Sequence, residues 1–402
     1  MVKDLFKKYK SLKYIITVIF LSVLIITAIS VYKVAEHNRI EQIENNKAKW
    51  KKEAIIEPSA GSLKAAGYIT ISWNNTDAME EAKGYKVFVD GEQVAELSGD
   101  ITTYEFYATK VKGYDLYVEA NLKNGSVINS DIITFYVNKK GLCVNKDMAN
   151  STDAKAWGTS WYYDWGIEPL HYTSFQDMEF VPMIWGNGDH SVDLNRFSKF
   201  GFKSVLAYNE PDMFQQANIE VDDAVEGMKE FMDRDLRVGS PATALLPPWS
   251  DEWFQPFMEK MKENNLDVDF IAIHHYWNWY NDEGAQAFID LVKETYEMYH
   301  KPIWITEFAI TGDPGRDEMQ RQSVIGYMEY VLPKLDELEY VERYAWFSFS
   351  PNHPRHGASG LINSYEGTIT DLGKLYIRSG MPEGYRDKSA KQIANEIKDI
   401  VR

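Results

Sequence analysis

From Lys139 onward the chain carries eight short apolar runs of strand length, with helical spacing in several of the gaps between them. The runs are Lys140–Asn145, Trp157–Tyr162, Phe180–Trp185, Lys203–Tyr208, Leu236–Ser240, Phe270–Tyr276, Ile303–Glu307 and Arg343–Phe347. Val221–Arg234, Trp253–Asn264, Ala285–His300 and Glu318–Leu338 repeat their apolar residues with the period of a helix. Nearly continuous apolar strands alternating with helices belong to a parallel sheet covered on both faces. Eight of them over about 245 residues match the usual size of a (β/α)8 TIM barrel. The expected fold class is therefore α/β, with residues 139–386 as the barrel.

In such a barrel, chemistry collects where the strands end at their carboxyl edge, because loops vary there while strands hold the geometry. Two runs end on a glutamate. The fourth reads S-V-L-A-Y-N-E-P-D from Ser204 to Asp212, and Pro211, which has no amide hydrogen, stops the ladder just after Glu210. The seventh, P-I-W-I-T-E-F from Pro302 to Phe308, delivers Glu307. Two carboxylates from separate strand ends are what glycoside hydrolysis requires: one protonates the leaving oxygen while the other attacks the sugar or activates water.

Five ordered motifs turn this pattern into a family resemblance: G-T-S-W-Y-Y-D-W (Gly158–Trp165), F-V-P-M-I-W-G (Phe180–Gly186), A-Y-N-E-P-D (Ala207–Asp212), F-I-A-I-H-H-Y (Phe270–Tyr276) and W-I-T-E-F (Trp304–Phe308). Together they resemble glycoside hydrolase family 128, the alkali-sensitive-linkage-protein-like hydrolases, over residues 140 to about 380. The resemblance implies cleavage of β-1,3-glucans with retention, Glu210 acting as acid/base and Glu307 as nucleophile. Asn209 is then placed to donate to a sugar 2-hydroxyl, its structural alternative being a cap on the turn before Pro211. His274 and Tyr276 share a parity and point inward together, Tyr276 towards the nucleophile, while His275 faces the other side. Adjacent strand residues cannot share a metal, so the two histidines are not expected to form a metal site, and no cofactor is expected. His275 stands where an aromatic residue is frequent in the family, which puts the subsites beside the scissile bond in question. Trp161, Tyr162, Trp185, Trp277 and Trp346 fall at or just past strand ends and are expected to stack on sugar rings, whereas Trp157 and Trp304 lie earlier and are assigned to packing.

The front of the chain is built differently. Lys3, Lys7, Lys8, Lys10 and Lys13 in a basic tail (residues 1–13) precede an uncharged apolar stretch (14–32), which reads as a signal-anchor transmembrane helix with the catalytic part outside the cytoplasm. The alternative is a cleaved signal peptide. A charged stalk (33–57) leads to short alternating runs (58–138) with Asp90-Gly91 as a hairpin turn. This segment resembles a fibronectin type III β-sandwich, Trp73, Tyr85 and Tyr114 matching its core and corner positions, and is expected to be a spacer. Residues 387–402 read as a helical tail.

Composition sets the remaining bounds. A net charge of −17 over 402 residues, with no basic stripe beyond residue 60, argues against a nucleic-acid partner. Cys143 is the single cysteine, which excludes an intrachain disulfide. The polymer itself is open: a β-glucan, another cell-envelope polysaccharide, or a ligand of a barrel that binds without cutting. Loss of catalysis shows as Gln, Ala or Ser at one of the two glutamates, and both glutamates are present.

Overall fold

The computed structural model describes residues 2–144, 157–169, 178–232, 234–278, 281–311, 318–350, 352–363 and 368–385, and the tail expected at 387–402 lies outside them. The chain divides into two compact units. The first comprises Met1–Glu57, Ile71–Tyr104 and Leu116–Ile132; the second comprises Pro58–Thr70, Glu105–Asp115 and Ile133–Arg402.

In the first unit, helix α1 runs without a break from Val2 to Glu53, so the charged stalk continues the apolar segment as one rod as far as Glu53, and the stalk's expected end, Ile55–Glu57, is a strand instead. At about 1.5 Å per residue the helix is on the order of 80 Å long. It is long and apolar enough to cross a membrane, and its apolar side chains between Tyr14 and Val31 are exposed. Its last turns are fixed: the buried Trp50 donates from Nε1 to Asn74 O at 2.8 Å, and Asn74 Nδ2 donates to Glu53 O at 2.7 Å. The strand Ala82–Val89 pairs antiparallel with Glu92–Ser98 across the Asp90-Gly91 turn. Asp90 and Gly91 have φ of 52° and 81°, the left-handed pair that a tight hairpin needs. Trp73 packs edge-on to Tyr85 at 5.5 Å, and Val87, Val118 and Ala120 in the same unit are buried.

Among the described residues, the second unit holds a barrel of eight parallel strands. They are β1 (Lys140–Cys143), β2 (Trp161–Tyr163), β3 in two pieces (Glu179–Phe180 and Met183–Ile184), β4 (Ser204–Asn209), β5 (Arg237–Ala242), β6 (Ile271–Trp277), β7 (Ile303–Ile310) and β8 (Val341–Trp346). Hydrogen bonding runs β3-β2-β1-β8-β7-β6 on one side and β3-β4-β5 on the other, and a bridge between Gly239 and Phe270 joins β5 to β6, closing the barrel. Pro182, which cannot donate to a ladder, divides β3. Outside pack α2 (Ser191–Phe200), α3 (Val221–Met232), α4 (Phe254–Glu263), α5 (Asp282–Tyr299), α6 (Glu318–Glu337) and α7 (Asp371–Arg378).

One strand departs from expectation. β2 begins at Trp161 rather than Trp157, because Gly158 turns the chain left-handed at φ 59° and pairing with β1 starts at Gly141↔Trp161. Inside the barrel, Cys143, Trp161, Tyr163, Met183, Leu206, Phe270 and Trp304 fill the space. Gly141 makes room for this filling: a Cβ there would stand 2.2 Å from the Trp161 ring.

Candidate active site

The end of β4 presents Glu210 from a backbone with φ 43°, a left-handed conformation that costs a non-glycine residue about 1–3 kcal/mol. The turn is held from both sides. Glu210 N donates to Ala242 O at 2.8 Å, and the Asp212 carboxylate accepts from Ala244 N at 2.8 Å and Leu245 N at 3.2 Å, which ties the loops after β4 and β5 together. Glu210 is thus delivered, buried, from a conformation that its neighbours over-determine.

Glu307 comes from β7. A register shift between Ile273 and His274 on β6 brings His274 opposite Glu307. Oε1 of Glu307 accepts from Trp165 Nε1 at 2.8 Å and from the Tyr163 hydroxyl at 3.0 Å, while Oε2 accepts from the Tyr276 hydroxyl. His274, fully buried, lies between the two acids. Its Nδ1 is 2.9 Å from Glu210 Oε1 and its Nε2 is 3.6 Å from Glu307 Oε1. One carboxylate oxygen of each glutamate and a ring nitrogen of His274 lie within 4.8 Å of one another. Such donors have the chemistry of a cation site, yet Glu307 already accepts three hydrogen bonds from neutral donors.

Burial pulls the imidazole of His274 towards its neutral form, but Glu307 and then Glu210 more than offset this, and its pKa is raised above 6.5. Burial, reinforced by Glu307, holds the Tyr276 hydroxyl protonated well above its usual range. Burial, with Cys143 and then Glu307 beside it, does the same for Tyr163. Both phenols therefore remain donors to the carboxylate.

Above these groups opens a cleft of about 720 Å³, lined by Trp165, Trp185, Asn209, Glu210, Met213, Gln216, Tyr276, Glu307, Phe347 and Phe349 among others. Of the residues singled out from sequence, Glu210, Glu307, Asn209, Tyr276 and Trp185 line it, and His274 lies against both carboxylates. Asn209 Nδ2 donates to Gln216 Oε1 at 3.2 Å. Trp185 is 40% exposed, as a stacking platform requires.

The other four aromatic expectations are corrected. Trp161 is fully buried in the barrel interior, donating from Nε1 to Lys139 O at 3.0 Å, because it starts its strand instead of ending it. Tyr162, one residue on, faces outward and packs on Phe180 at 5.2 Å. Trp346 is fully buried, bonded through Nε1 to Ser359 O at 3.0 Å and packed on Phe308 at 5.1 Å. Trp277 stacks on Trp249 at 5.8 Å and does not line the cleft. His275, at the position that departs from the family pattern, lies parallel to Phe288 at 4.6 Å on the outer face of β6, so it does not alter the cleft. Sequence reasoning missed Tyr163, Trp165, Phe347 and Phe349. Their signal was parity, since Tyr163 alternates with Tyr162 and Phe347 with Trp346.

Comparison with known proteins bears on this geometry. A family model described as the glycosyl hydrolase catalytic core matches residues 141–376. Alkali-sensitive linkage protein 1 of Schizosaccharomyces pombe is 27% identical over 250 residues, which are 60% of this chain and 44% of that protein, so the chain spans less than half the length of this curated relative. Among solved structures, a GH128 subgroup I endo-β-1,3-glucanase from Amycolatopsis mediterranei, crystallised as a glutamate-to-alanine variant with laminaripentaose, is 30% identical with a TM-score of 0.54, covering 60% of this chain and 100% of its own. A glutamate-to-glutamine variant of that enzyme with laminarihexaose is 29% identical, with a TM-score of 0.53 and the same coverage.

Proposed function

The chain belongs to the glycosyl hydrolase catalytic core family and is a glycoside hydrolase with a GH128 catalytic domain, and on that premise we propose that it cleaves β-1,3-glucan with retention, through Glu307 as nucleophile and Glu210 as acid/base. The observation that carries the mechanism is the spacing of the two acids, whose oxygens share a 4.8 Å cluster with His274. Retaining enzymes hold their carboxyls roughly 5–5.5 Å apart, whereas inverting enzymes leave about 6.5–9.5 Å for a water. In the first step an oxygen of Glu307 bonds to the anomeric carbon as the glycosidic bond breaks, and the proton of Glu210 passes to the leaving oxygen. Water then attacks the same carbon, its proton returns to Glu210, and the ester to Glu307 breaks.

The substrate class rests on the relatives, which were crystallised with laminaripentaose and laminarihexaose. Their glutamates were replaced at two positions 97 residues apart, the separation of Glu210 and Glu307. Trp185, Phe347 and Phe349 give the cleft the flat apolar surfaces that sugar C–H faces stack on. The unbroken α1 with its amino-terminal lysines supports a membrane anchor holding the enzyme outside the cytoplasm. The Trp73–Tyr85 core supports a fibronectin type III-like β-sandwich serving as spacer.

The test is azide rescue of the full chain on dinitrophenyl β-laminaribioside, alongside hydrolysis of β-1,3-, β-1,4- and mixed-linkage glucans. Azide with Glu307→Ala should give the α-glycosyl azide, and with Glu210→Ala the β-glycosyl azide. Inverted outcomes would exchange the two roles, and cleavage confined to β-1,4-glucan would overturn the substrate.

A further inference from the structure

Glu307 is gripped asymmetrically. Among the described residues, Oε2 has one donor, the Tyr276 hydroxyl, while Oε1 has two, Trp165 Nε1 at 2.8 Å and the Tyr163 hydroxyl at 3.0 Å. Both of the latter come from β2 and the turn after it, which carry neither of the two glutamates. Tyr163 is fully buried, and its hydroxyl lies also 3.2 Å from Thr306 O on the nucleophile's own strand. Trp165 is held at φ 61°, left-handed for a non-glycine residue, in a turn closed by Gly166 N donating to Asp164 Oδ1 at 3.0 Å. Its ring packs on Tyr163 at 5.1 Å and Phe347 at 5.9 Å. A tryptophan needed only to stack on sugar requires neither a strained backbone nor an indole N–H aimed at a carboxylate. Strain of this kind persists where surroundings over-determine it, and it clusters at functional sites.

We propose that Trp165 and Tyr163 are positioning residues for the nucleophile: together they lock Glu307 Oε1, so that the carboxylate cannot rotate and Oε2 faces the anomeric carbon. The inference rests on Glu307 being the nucleophile. A carboxylate free to turn about its last torsion spends part of its time unproductively aligned, and a misplacement of about 1 Å can cost on the order of a hundredfold in rate. Hydrogen bonds to charged groups are the stronger ones, so removing either donor is felt in the chemical step.

The test uses the full chain and dinitrophenyl β-laminaribioside, with Trp165→Phe, which keeps a ring and removes the N–H, and Tyr163→Phe, which removes only the hydroxyl. Each should lower kcat about tenfold or more with KM within about twofold, the signature of an interaction made in the transition state. In the Glu307→Ala background rescued by azide, where the carboxylate is gone, adding Trp165→Phe should change the rescued rate by less than about twofold. A raised KM with intact kcat, or a further tenfold loss in the rescued background, would show that the indole serves the sugar and sink the proposal alone. An active Glu307→Ala would sink the nucleophile assignment and take this proposal with it. Tyr163→Phe retaining full kcat would remove Tyr163 from the device even where Trp165 stays in it.

Discussion

His274 Nδ1 lies 2.9 Å from Glu210 Oε1, and the opposite nitrogen of the same ring lies 3.6 Å from Glu307 Oε1. A single buried imidazole thus touches one acid and faces the other. The pairing gives the ring a partner when it is protonated, which is why its pKa is raised despite complete burial. The sign follows from linkage: with a folded pKa above the unfolded one, the native state binds the extra proton, and the stabilisation is complete below about 6.5 and lost as pH rises through the folded value. The urea midpoint of the wild type should therefore fall above about pH 6.5 relative to His274→Asn. Parallel midpoint curves for the two proteins would show that the ring is neutral throughout. Activity of His274→Asn should be lower by about ten- to a hundredfold, the effect of losing a hydrogen bond to a charged group.

The next residue responds in the opposite sense. Burial alone pushes the His275 imidazole down to about 3, and its Nε2 has no hydrogen-bond partner among the described residues. The unfolded chain binds the proton that the native state refuses, so stability is lost as pH falls from about 6.5 towards 3. His275→Phe keeps the stack on Phe288, which is only 5° from parallel, and removes the titrating group. It should hold its melting temperature between pH 6 and 4 better than the wild type does, with kcat unchanged because the ring faces away from the cleft. A wild type and variant that lose stability equally over that range would refute the assignment.

Much of this was readable from residues alone because apolar runs and their ends carry the information. A strand stopped by Pro211 after a glutamate announces both an edge and a carboxylate, and the parity of His274 and Tyr276 placed both beside Glu307. What escaped depended on strand starts and on chain partners distant in sequence. An error of four residues at the start of β2 moved Trp161 from interior filler to supposed sugar platform, and hid Tyr163 and Trp165. Aromatic residues gave no help in correcting it, because a tryptophan suits a core and a cleft equally well until its neighbours are known. Ile40 and Ile43 are only a thin apolar trace through the charged stalk, too little to tell a short helical stalk from a flexible one, so the continuity of α1 was not legible there.

Two adjacent lysines, Lys139 just before β1 and Lys140 at its start, are buried with no carboxylate in salt-bridge contact among the described residues. Lys140 Nζ donates to the carbonyls of Tyr376 at 2.7 Å, Ile377 at 2.9 Å and Ser379 at 2.6 Å, the end of α7. Lys139 Nζ does the same for Leu335, Asp336 and Leu338 at the end of α6. Each ammonium spends its three hydrogens on carbonyls that a helix terminus leaves unpaired and negative. Lys140→Met keeps the stem and strips those partners, and should destabilise by about 3 kcal/mol, chiefly through the orphaned carbonyls. Urea unfolding checks this, and a change below about 1 kcal/mol would mean that water replaces the ammonium.

The second unit extends beyond the barrel, because segments 58–70 and 105–115 cluster with it, and Glu342 is where this matters. Fully buried at the start of β8, Glu342 accepts two hydrogen bonds from Arg237, at 2.9 and 3.0 Å, one from Trp304 Nε1 at 2.8 Å and one from the Tyr107 hydroxyl at 2.7 Å. Arg237 also lies over the rings of Tyr68, Phe270 and Trp304. Taking such a pair out of water is costly, so removing one partner does more harm than removing both. Glu342→Ala should destabilise by about 3–5 kcal/mol by leaving the guanidinium buried and unpaired. Glu342→Leu combined with Arg237→Leu should recover most of that loss, and the shortfall from additivity in urea midpoints measures the coupling. Additive single effects would show that the two charges are solvated independently. A chain starting at residue 139 lacks Tyr107 and Tyr68, and also Ala66, whose carbonyl accepts from Arg343 Nε at 3.3 Å. It should therefore melt lower than one starting at residue 58, and equal melting temperatures would assign those segments no part in holding the barrel closed.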